Sequence, residues 1–276
     1  MPGKVRLTGA EMKLKSIAFS MAMLAAAGCS GGTILIRQIM FTLTRLGSLC
    51  GAMALAGLGL FSSAAQAAGY GGIALGATRV IYPQGSNQIS LPVNNTDRAS
   101  VFLIQSWVEN AAGKKSNDFV VTPPLFVIKP EKENTLRIIY AGDNTLPKDR
   151  ESLYWMNVKA IPAANKDIQN KNTLQIAVLN RIKLFVRPKN LSMQSVDAPA
   201  QLRFHQNGNA LIVKNPTPYF ITLVKLHEGS TDLPAVMVPP MDQAHVALPK
   251  GAQGKIMFQT VSDYGADTPS QNAVMD

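Results

Sequence analysis

The chain has 276 residues, 46% of them hydrophobic, which is enough for two domains of ordinary size. Its formal net charge of +10 is unevenly distributed, because residues 1–67 hold six cationic residues and one anionic residue and the rest holds 21 cationic against 16 anionic. This modest excess, with no basic block or aromatic-basic motif, argues against nucleic acid as a partner.

Residues 1–67 have the pattern of a secretory signal region. Arg45 precedes the apolar run Leu46–Leu60, and small residues then lead to Ala65-Gln66-Ala67, an A-x-A cleavage site. The apolar run is about fifteen residues long, which is short for a membrane span. The sequence therefore predicts secretion, cleavage after Ala67 and no stable membrane insertion afterwards.

A second signal-like run lies upstream, from Met12 to Cys29, and resembles a lipoprotein signal that ends at a lipidated cysteine. Residues 40–67 form a complete signal by themselves, so we favour Met40 as the true start, with a lipid-anchored chain as the alternative. Both cysteines, Cys29 and Cys50, precede the cleavage site. The mature chain therefore has no thiol for a disulfide, a zinc-thiolate site or a catalytic cysteine.

Beyond the signal region, short runs of alternating or β-branched residues recur between turn residues, and no long stretch has a helical apolar period. Asn207-Gly208 between two such runs predicts a hairpin. The pattern is interrupted between Pro188 and Pro199. We therefore predict an all-β protein with two antiparallel sandwiches, one over residues 68–190 and one over 191–276. The predicted strands include Leu174–Val186 and Gln201–Phe204.

The predicted strand Leu174–Val186 is the most informative segment. Its apolar residues fall on alternate positions, as in a pleated strand, and three cations, Arg181, Lys183 and Arg187, lie within or just after it. A strand that only filled a core would seldom carry so many charges. The pattern predicts a recognition strand with apolar side chains along its length and positive charge at one point.

Motifs for catalysis are absent from the sequence. The three histidines, His205, His227 and His245, are isolated, and no nucleophile–base or metal-ligand spacing occurs. We expect no enzyme activity, no cofactor and no metal. Arg79 and Lys183 stand out because each interrupts an apolar β segment. Such a cation either reaches solvent or meets an anion, and the residues alone leave both possibilities open.

At these residues the sequence resembles the PapD-like periplasmic pilus chaperones. The resemblance covers residues 72–269 and rests on long matches in order: ALGATRVIYP (74–83), LIQSWVEN (103–110), VTPPLF (121–126), ENTLRI (133–138), DRESLYWMNVKAIP (149–162), RIKL (181–184), NPTPYF (215–220) and SDYGA (262–266). It implies two immunoglobulin-like domains set at an angle in a periplasmic, ATP-independent, non-enzymatic chaperone. Its expected partners are pilin subunits and an outer-membrane usher.

The resemblance also implies roles for individual residues. Arg79 and Lys183 match the cations that anchor the carboxylate at the C-terminus of the subunit. The donor-strand residues that fill the groove of an incomplete pilin sandwich correspond to Leu174, Ile176 and Val178. A salt-bridge network between the domains corresponds to Glu151, Arg187 and Asp263. Because Lys183 and the donor residues have opposite strand parity, we expect a bulge or strong twist between them. The alternative function is a structural or adhesive two-sandwich fimbrial protein.

The signal region generates a first prediction. The secreted protein should begin at Ala68, and reductant should leave its stability unchanged because it holds no cysteine. N-terminal sequencing of periplasmic protein and melting curves with and without dithiothreitol measure both properties. A product lipidated at Cys29 would contradict the prediction.

Overall fold

The regular secondary structure in the described part of the chain is almost entirely β-strand. The computed structural model describes residues 71–143, 145–163, 174–251 and 253–276, so the predicted signal region lies outside it. No helix within these ranges has the length and apolarity needed to cross a membrane. The first nine strands are Ile73–Leu75 (β1), Arg79–Pro83 (β2), Ile89–Asn95 (β3), Phe102–Asn110 (β4), Phe119–Thr122 (β5), Leu125–Ile128 (β6), Glu133–Tyr140 (β7), Ser152–Pro162 (β8) and Val178–Arg187 (β9).

These nine strands form the first sandwich. One sheet has the order β1-β3-β7-β5 and the other the order β2-β9-β8-β4-β6. The pairing of β2 with β9 is parallel, whereas the other pairs in the two sheets are antiparallel. Alternate side chains of both sheets point inward, and the core includes Tyr82, Leu91, Ile104, Leu136, Met156 and Leu184.

The second sandwich contains eight strands after a short 3-10 helix at Ala198–Gln201. The strands are Arg203–Asn207 (β10), Ala210–Asn215 (β11), Ile221–Glu228 (β12), Thr231–Asp232 (β13), Val236–Val238 (β14), Asp242–Ala247 (β15), Ile256–Thr260 (β16) and Gln271–Asn272 (β17). One sheet has the order β10-β11-β15, and the other is built around β12 and β16. A separate core includes Phe204, Leu211, Leu223 and Phe258. The all-β, two-sandwich prediction is confirmed.

The predicted Asn-Gly hairpin is also confirmed. Asn207 pairs with Ala210, so Gly208 and Asn209 form the two-residue connection between β10 and β11. Gly208 has φ of +56°, a conformation that costs glycine little.

The two predicted strands Leu174–Val186 and Gln201–Phe204 both begin later than predicted. The predicted strand Leu174–Val186 begins only at Val178, because Ala160 of β8 pairs with Val178 and the ladder ends there. The predicted strand Gln201–Phe204 is replaced up to Gln201 by the 3-10 turn, in which Pro199 lies near the start. The turn takes up Gln201, and β10 begins only at Arg203.

The expected bulge within the recognition strand is wrong for the part that lies in β9. Pairing of β8 with β9 runs without a shift from Ser152 opposite Val186 to Ala160 opposite Val178. Side chains of β9 therefore alternate strictly: Leu184 and Val186 point into the first core, and Lys183 and Arg187 point out of the opposite face.

Arg187 connects the two sandwiches at the end of β9. Its Nε lies 2.7 Å from a carboxylate oxygen of Glu151, and its two terminal nitrogens each lie 2.7 Å from an oxygen of Asp263. Ser195 donates to Asp263 at 2.8 Å, and the Phe220 N–H donates to the other oxygen of Glu151 at 2.8 Å. One guanidinium thus binds a carboxylate from each sandwich, and its pair with Asp263 is bidentate.

Burial decides the electrostatics of this network. Burial raises the pKa of the Glu151 carboxyl although Arg187 and the Phe220 N–H oppose the shift. Hydrogen bonds from Arg187 lower the pKa of Asp263 against the effect of its partial burial. The rings of Phe185 and Phe220 stack beside the network with centroids 5.4 Å apart. The contact between the sandwiches therefore combines buried charge with an aromatic pair.

We predict that Arg187→Ala destabilises the junction because it leaves the buried Glu151 without its cation. The free energy of unfolding should fall by about 3 kcal/mol, the lower end for breaking a buried ion pair, since Arg187 keeps some access to water. Urea titration measures the change, and limited proteolysis should show new cleavage between residues 188 and 199.

The matched control is Arg150→Ala, which breaks a surface pair with Asp149. It should leave the free energy of unfolding nearly unchanged, because an exposed pair contributes little to stability. Equal stabilities and equal cleavage for the two variants would contradict a structural role for the Arg187 network.

Candidate functional site

Arg79 and Lys183 lie side by side on the outer face of the first sandwich. The parallel pairing of β2 with β9 places Arg79 directly opposite Lys183 and Val80 opposite Leu184. Because Val80 and Leu184 belong to the core, the two cations point away from it. Sequence positions 104 residues apart are thus brought together by one register.

Both cations reach neutral oxygens of the second sandwich. The Lys183 Nζ donates to the Thr222 hydroxyl at 2.8 Å, and a terminal nitrogen of Arg79 donates to the Val261 carbonyl at 3.2 Å. The Arg79 Nε is buried without a hydrogen-bond partner. Among the described residues, neither cation forms a salt bridge with a carboxylate.

This shortage of negative charge shows in the acid–base properties of the pair. Burial, and then the charge of Arg79, lowers the pKa of Lys183 to about 8. Burial likewise lowers the pKa of Arg79, although Asp263 and Glu151 partly offset it. The site is therefore a partly dry place with two positive groups and spare capacity for an anion.

A cavity of about 230 Å³ extends from Arg79 along the junction. Its walls include Arg79 and Arg187 from the first sandwich and Tyr219, Val261 and Asp263 from the second. Arg187 is committed to Glu151 and Asp263, so the cations of the site divide into paired and unpaired ones. An incoming anion would find Arg79 and Lys183 available and Arg187 occupied.

Three apolar side chains precede Lys183 along the chain and are strongly exposed. The exposed fractions are 86% for Leu174, 65% for Ile176 and 55% for Val178. Exposing three large apolar side chains to water costs free energy unless a binding partner covers them. Their even parity sets them on the opposite side of the chain from Lys183 where the β9 alternation continues.

An open strand edge accompanies these side chains. β2 pairs only with Lys183–Arg187 of β9, so residues 178–182 have β8 on one edge and no strand of the described chain on the other. Unpaired N–H and C=O groups on such an edge are ready to pair with another chain. The structure thus places an open edge, exposed apolar side chains and an unpaired cation pair on one strand and its neighbour.

Sequence reasoning assigned no role to four residues that contact the cations of this site or of β9: Thr222, Val261, Glu109 and Trp155. The only signal was that three of these four lie within or next to the matched segments 103–110, 149–162 and 262–266. Thr222 lies just beyond the segment 215–220. Their contacts depend on sheet register and on the second sandwich, which local pattern does not reveal.

Comparison with known proteins identifies the family. Residues 72–192 match the "Pili and flagellar-assembly chaperone, PapD N-terminal domain", and residues 197–272 match the "Pili assembly chaperone PapD, C-terminal domain". The chain is 52% identical over 205 residues to the chaperone protein FimC of Escherichia coli K12. This alignment covers 74% of this chain and 85% of FimC. It is 49% identical over 211 residues to the probable fimbrial chaperone SfmC of the same organism, covering 76% and 90% of the two chains.

Solved structures agree with these sequence matches. The periplasmic chaperone SfaE superposes with a TM-score of 0.65 and 48% identity, covering 74% of this chain and all of SfaE. The SafB chaperone of Salmonella enterica, solved in complex with the SafA pilin, superposes with a TM-score of 0.66 and 32% identity over 73% of this chain and 95% of the other. The chain therefore belongs to the PapD family of pilus-assembly chaperones.

Proposed function

We propose that this protein binds pilin subunits in the periplasm by donor-strand complementation. It completes the fold of each subunit, blocks premature assembly and delivers the subunit to an outer-membrane usher. The observation that carries the proposal is the open edge of β9 next to the unpaired cations Arg79 and Lys183. The signal peptide cleaved after Ala67 takes the chain to that compartment.

The open edge of β9 supplies the backbone part of the interaction. A client strand that lies beside Val178–Ile182 would satisfy unpaired N–H and C=O groups on both chains. Leu174, Ile176 and Val178 would enter an apolar groove of the client. Burying each of these side chains contributes roughly 1.5–3 kcal/mol as an upper estimate.

The cation pair supplies the register. A client chain that ends in a carboxylate between Arg79 and Lys183 offers the anion that these two groups lack. Charge-assisted hydrogen bonds to a carboxylate are short and strong, and they fix the end of the client strand. A slip of one residue would then turn every apolar side chain of the client to the wrong face.

Lys183 and the three apolar side chains have opposite strand parity, which fits their separate roles as carboxylate anchor and groove fillers. Lys183 points toward the second sandwich and its Thr222, whereas Leu184 on the next position points into the first core. The anchor thus lies on one face of the strand and the fillers on the other. A terminal carboxylate needs only the first face, and the groove of the client needs only the second.

The experiment begins with purification of the protein from the periplasm and identification of the bound subunit by mass. A peptide of that subunit's C-terminal strand is then made as the free acid and as the amide. Wild type should bind the acid much more tightly, and Lys183→Met should reduce the difference, because the partner of the carboxylate is gone. Fluorescence anisotropy measures the four dissociation constants.

The pH dependence gives a second readout. In the protein without a client, the pKa of Lys183 is about 8, and a bound carboxylate would favour the charged form of its side chain. Binding of the acid should therefore weaken as the pH rises through about 8, while binding of the amide stays flat. Lys189→Met, at an exposed lysine, serves as the control and should behave like wild type.

The filler residues need a separate variant. Ile176→Asp places a charge in the apolar groove of the client, so the subunit should no longer be captured even though the anchor is intact. The free variant should remain folded because Ile176 is exposed.

Equal sensitivity to amidation in wild type and Lys183→Met would rule out Lys183 as the carboxylate anchor.

A further inference from the structure

A third cation on the anchor face creates a competing register. Arg181 precedes Lys183 by two residues on β9, so both side chains leave the same face of the sheet. A client strand slipped by two residues keeps each of its side chains on the correct face. Alternation therefore rejects a slip of one residue but not a slip of two. In the slipped register the client carboxylate would lie beside Arg181.

The structure holds Arg181 away from that role. A terminal nitrogen of Arg181 lies 3.1 Å from a carboxylate oxygen of Glu109 on β4, and its guanidinium carbon lies 4.3 Å from the ring centroid of Trp155 on β8. Since β8 lies between β9 and β4, the guanidinium reaches across β8, away from the open edge of β9. The other oxygen of Glu109 accepts a hydrogen bond from the Trp107 indole at 2.9 Å.

The cationic side chains of β2 and β9 fall into two classes, those with a carboxylate partner and those without one. On β2 and β9, Arg181 is paired with Glu109 and Arg187 with Glu151 and Asp263. Arg79 and Lys183 have no carboxylate partner among the described residues. We propose that Glu109 is a positioning residue that sets the register of the client strand by neutralising Arg181. This inference rests on the proposed function of Lys183 as the anchor.

Pairing with Glu109 penalises the slipped register in two ways. The client carboxylate would have to displace Glu109 from the guanidinium, and it would then lie near a second negative charge. Stacking on Trp155 also fixes the planar fork of Arg181, so turning it toward the open edge loses the cation–π contact. Glu109 and Arg181 keep 18% and 40% side-chain exposure, so the pair contributes little to stability itself.

Cross-linking can read the register directly, because residues 72–276 contain no cysteine. The probe is a synthetic peptide of alternating valine and threonine that ends in a free carboxylate. One peptide carries a cysteine at the position that meets Leu179→Cys in the anchored register, and a second carries it two residues away, where only the slipped register meets Leu179→Cys. Disulfide yields with each peptide are measured on the folded, mature chain.

With Glu109 present, only the peptide for the anchored register should cross-link. Glu109→Gln keeps an acceptor for the Trp107 indole but removes the charge, so the second peptide should cross-link in comparable yield. Adding Arg181→Met to Glu109→Gln should abolish the second product again. Glu109→Ala gives an independent test of the same loss of charge, and unchanged melting temperatures show that the variants are folded.

The matched control is Glu131→Gln, which removes an exposed carboxylate that lies 3.9 Å from Arg98. This variant should cross-link only with the peptide for the anchored register. If both Glu109 variants cross-link only the first peptide, the register role of Glu109 is wrong. If instead Lys183→Met leaves the preference for acid over amide unchanged with Glu109 intact, the anchor itself fails, so the two failures are distinguishable.

Discussion

The whole site depends on the parallel pairing of β2 with β9. That register brings Arg79 to Lys183, although the two are distant in sequence, and it ends where Arg187 meets the second sandwich. It also leaves the earlier half of β9 with an open edge. A shift of this pairing by one residue would send one cation into the core and break the site. The core residues Val80 and Leu184, which face inward from the same two strands, oppose such a shift.

The cations on this face of the first sandwich differ in whether they have a carboxylate partner. Arg187 has two carboxylates and lies at a junction that must hold its shape, whereas Lys183 has only the Thr222 hydroxyl. A buried ion pair with complete hydrogen bonding is tolerated, but an unpaired cation in a partly dry place raises the free energy of the folded protein. Stability elsewhere must offset that cost. Under the proposed function, the same deficit would make a terminal carboxylate an effective ligand, because binding would remove the deficit.

The sequence predicted the strands and left the contacts open. The Asn-Gly dipeptide located the hairpin at Gly208. Apolar alternation located most strands of both sandwiches, because burial of one face enforces that period. It could not tell where β9 begins, since Leu174 and Ile176 continue the same alternation beyond the last residue that β8 can pair. The bulge expected between Lys183 and the donor-strand residues is absent from β9, where pairing with β8 runs without a shift from Val178 to Val186.

The candidate site was located by resemblance more than by spacing. Nothing in the local pattern distinguishes Lys183, which lacks a carboxylate, from Arg181, which has one. The difference arises from Glu109, 72 residues earlier and two strands away, and only the sheet order brings it within reach. Partners of this kind lie outside any argument built on periodicity, because they depend on which strands become neighbours.

The division of β9 into a closed half and an open half has a consequence for local dynamics. In residues 178–182 successive amides point alternately toward β8 and toward the open edge, so neighbouring residues differ in their protection from water. In residues 183–186 both edges are covered. Amide hydrogen exchange along this one strand should therefore change from an alternating pattern to uniform protection at Lys183, and a bound subunit should extend the uniform pattern back to Val178.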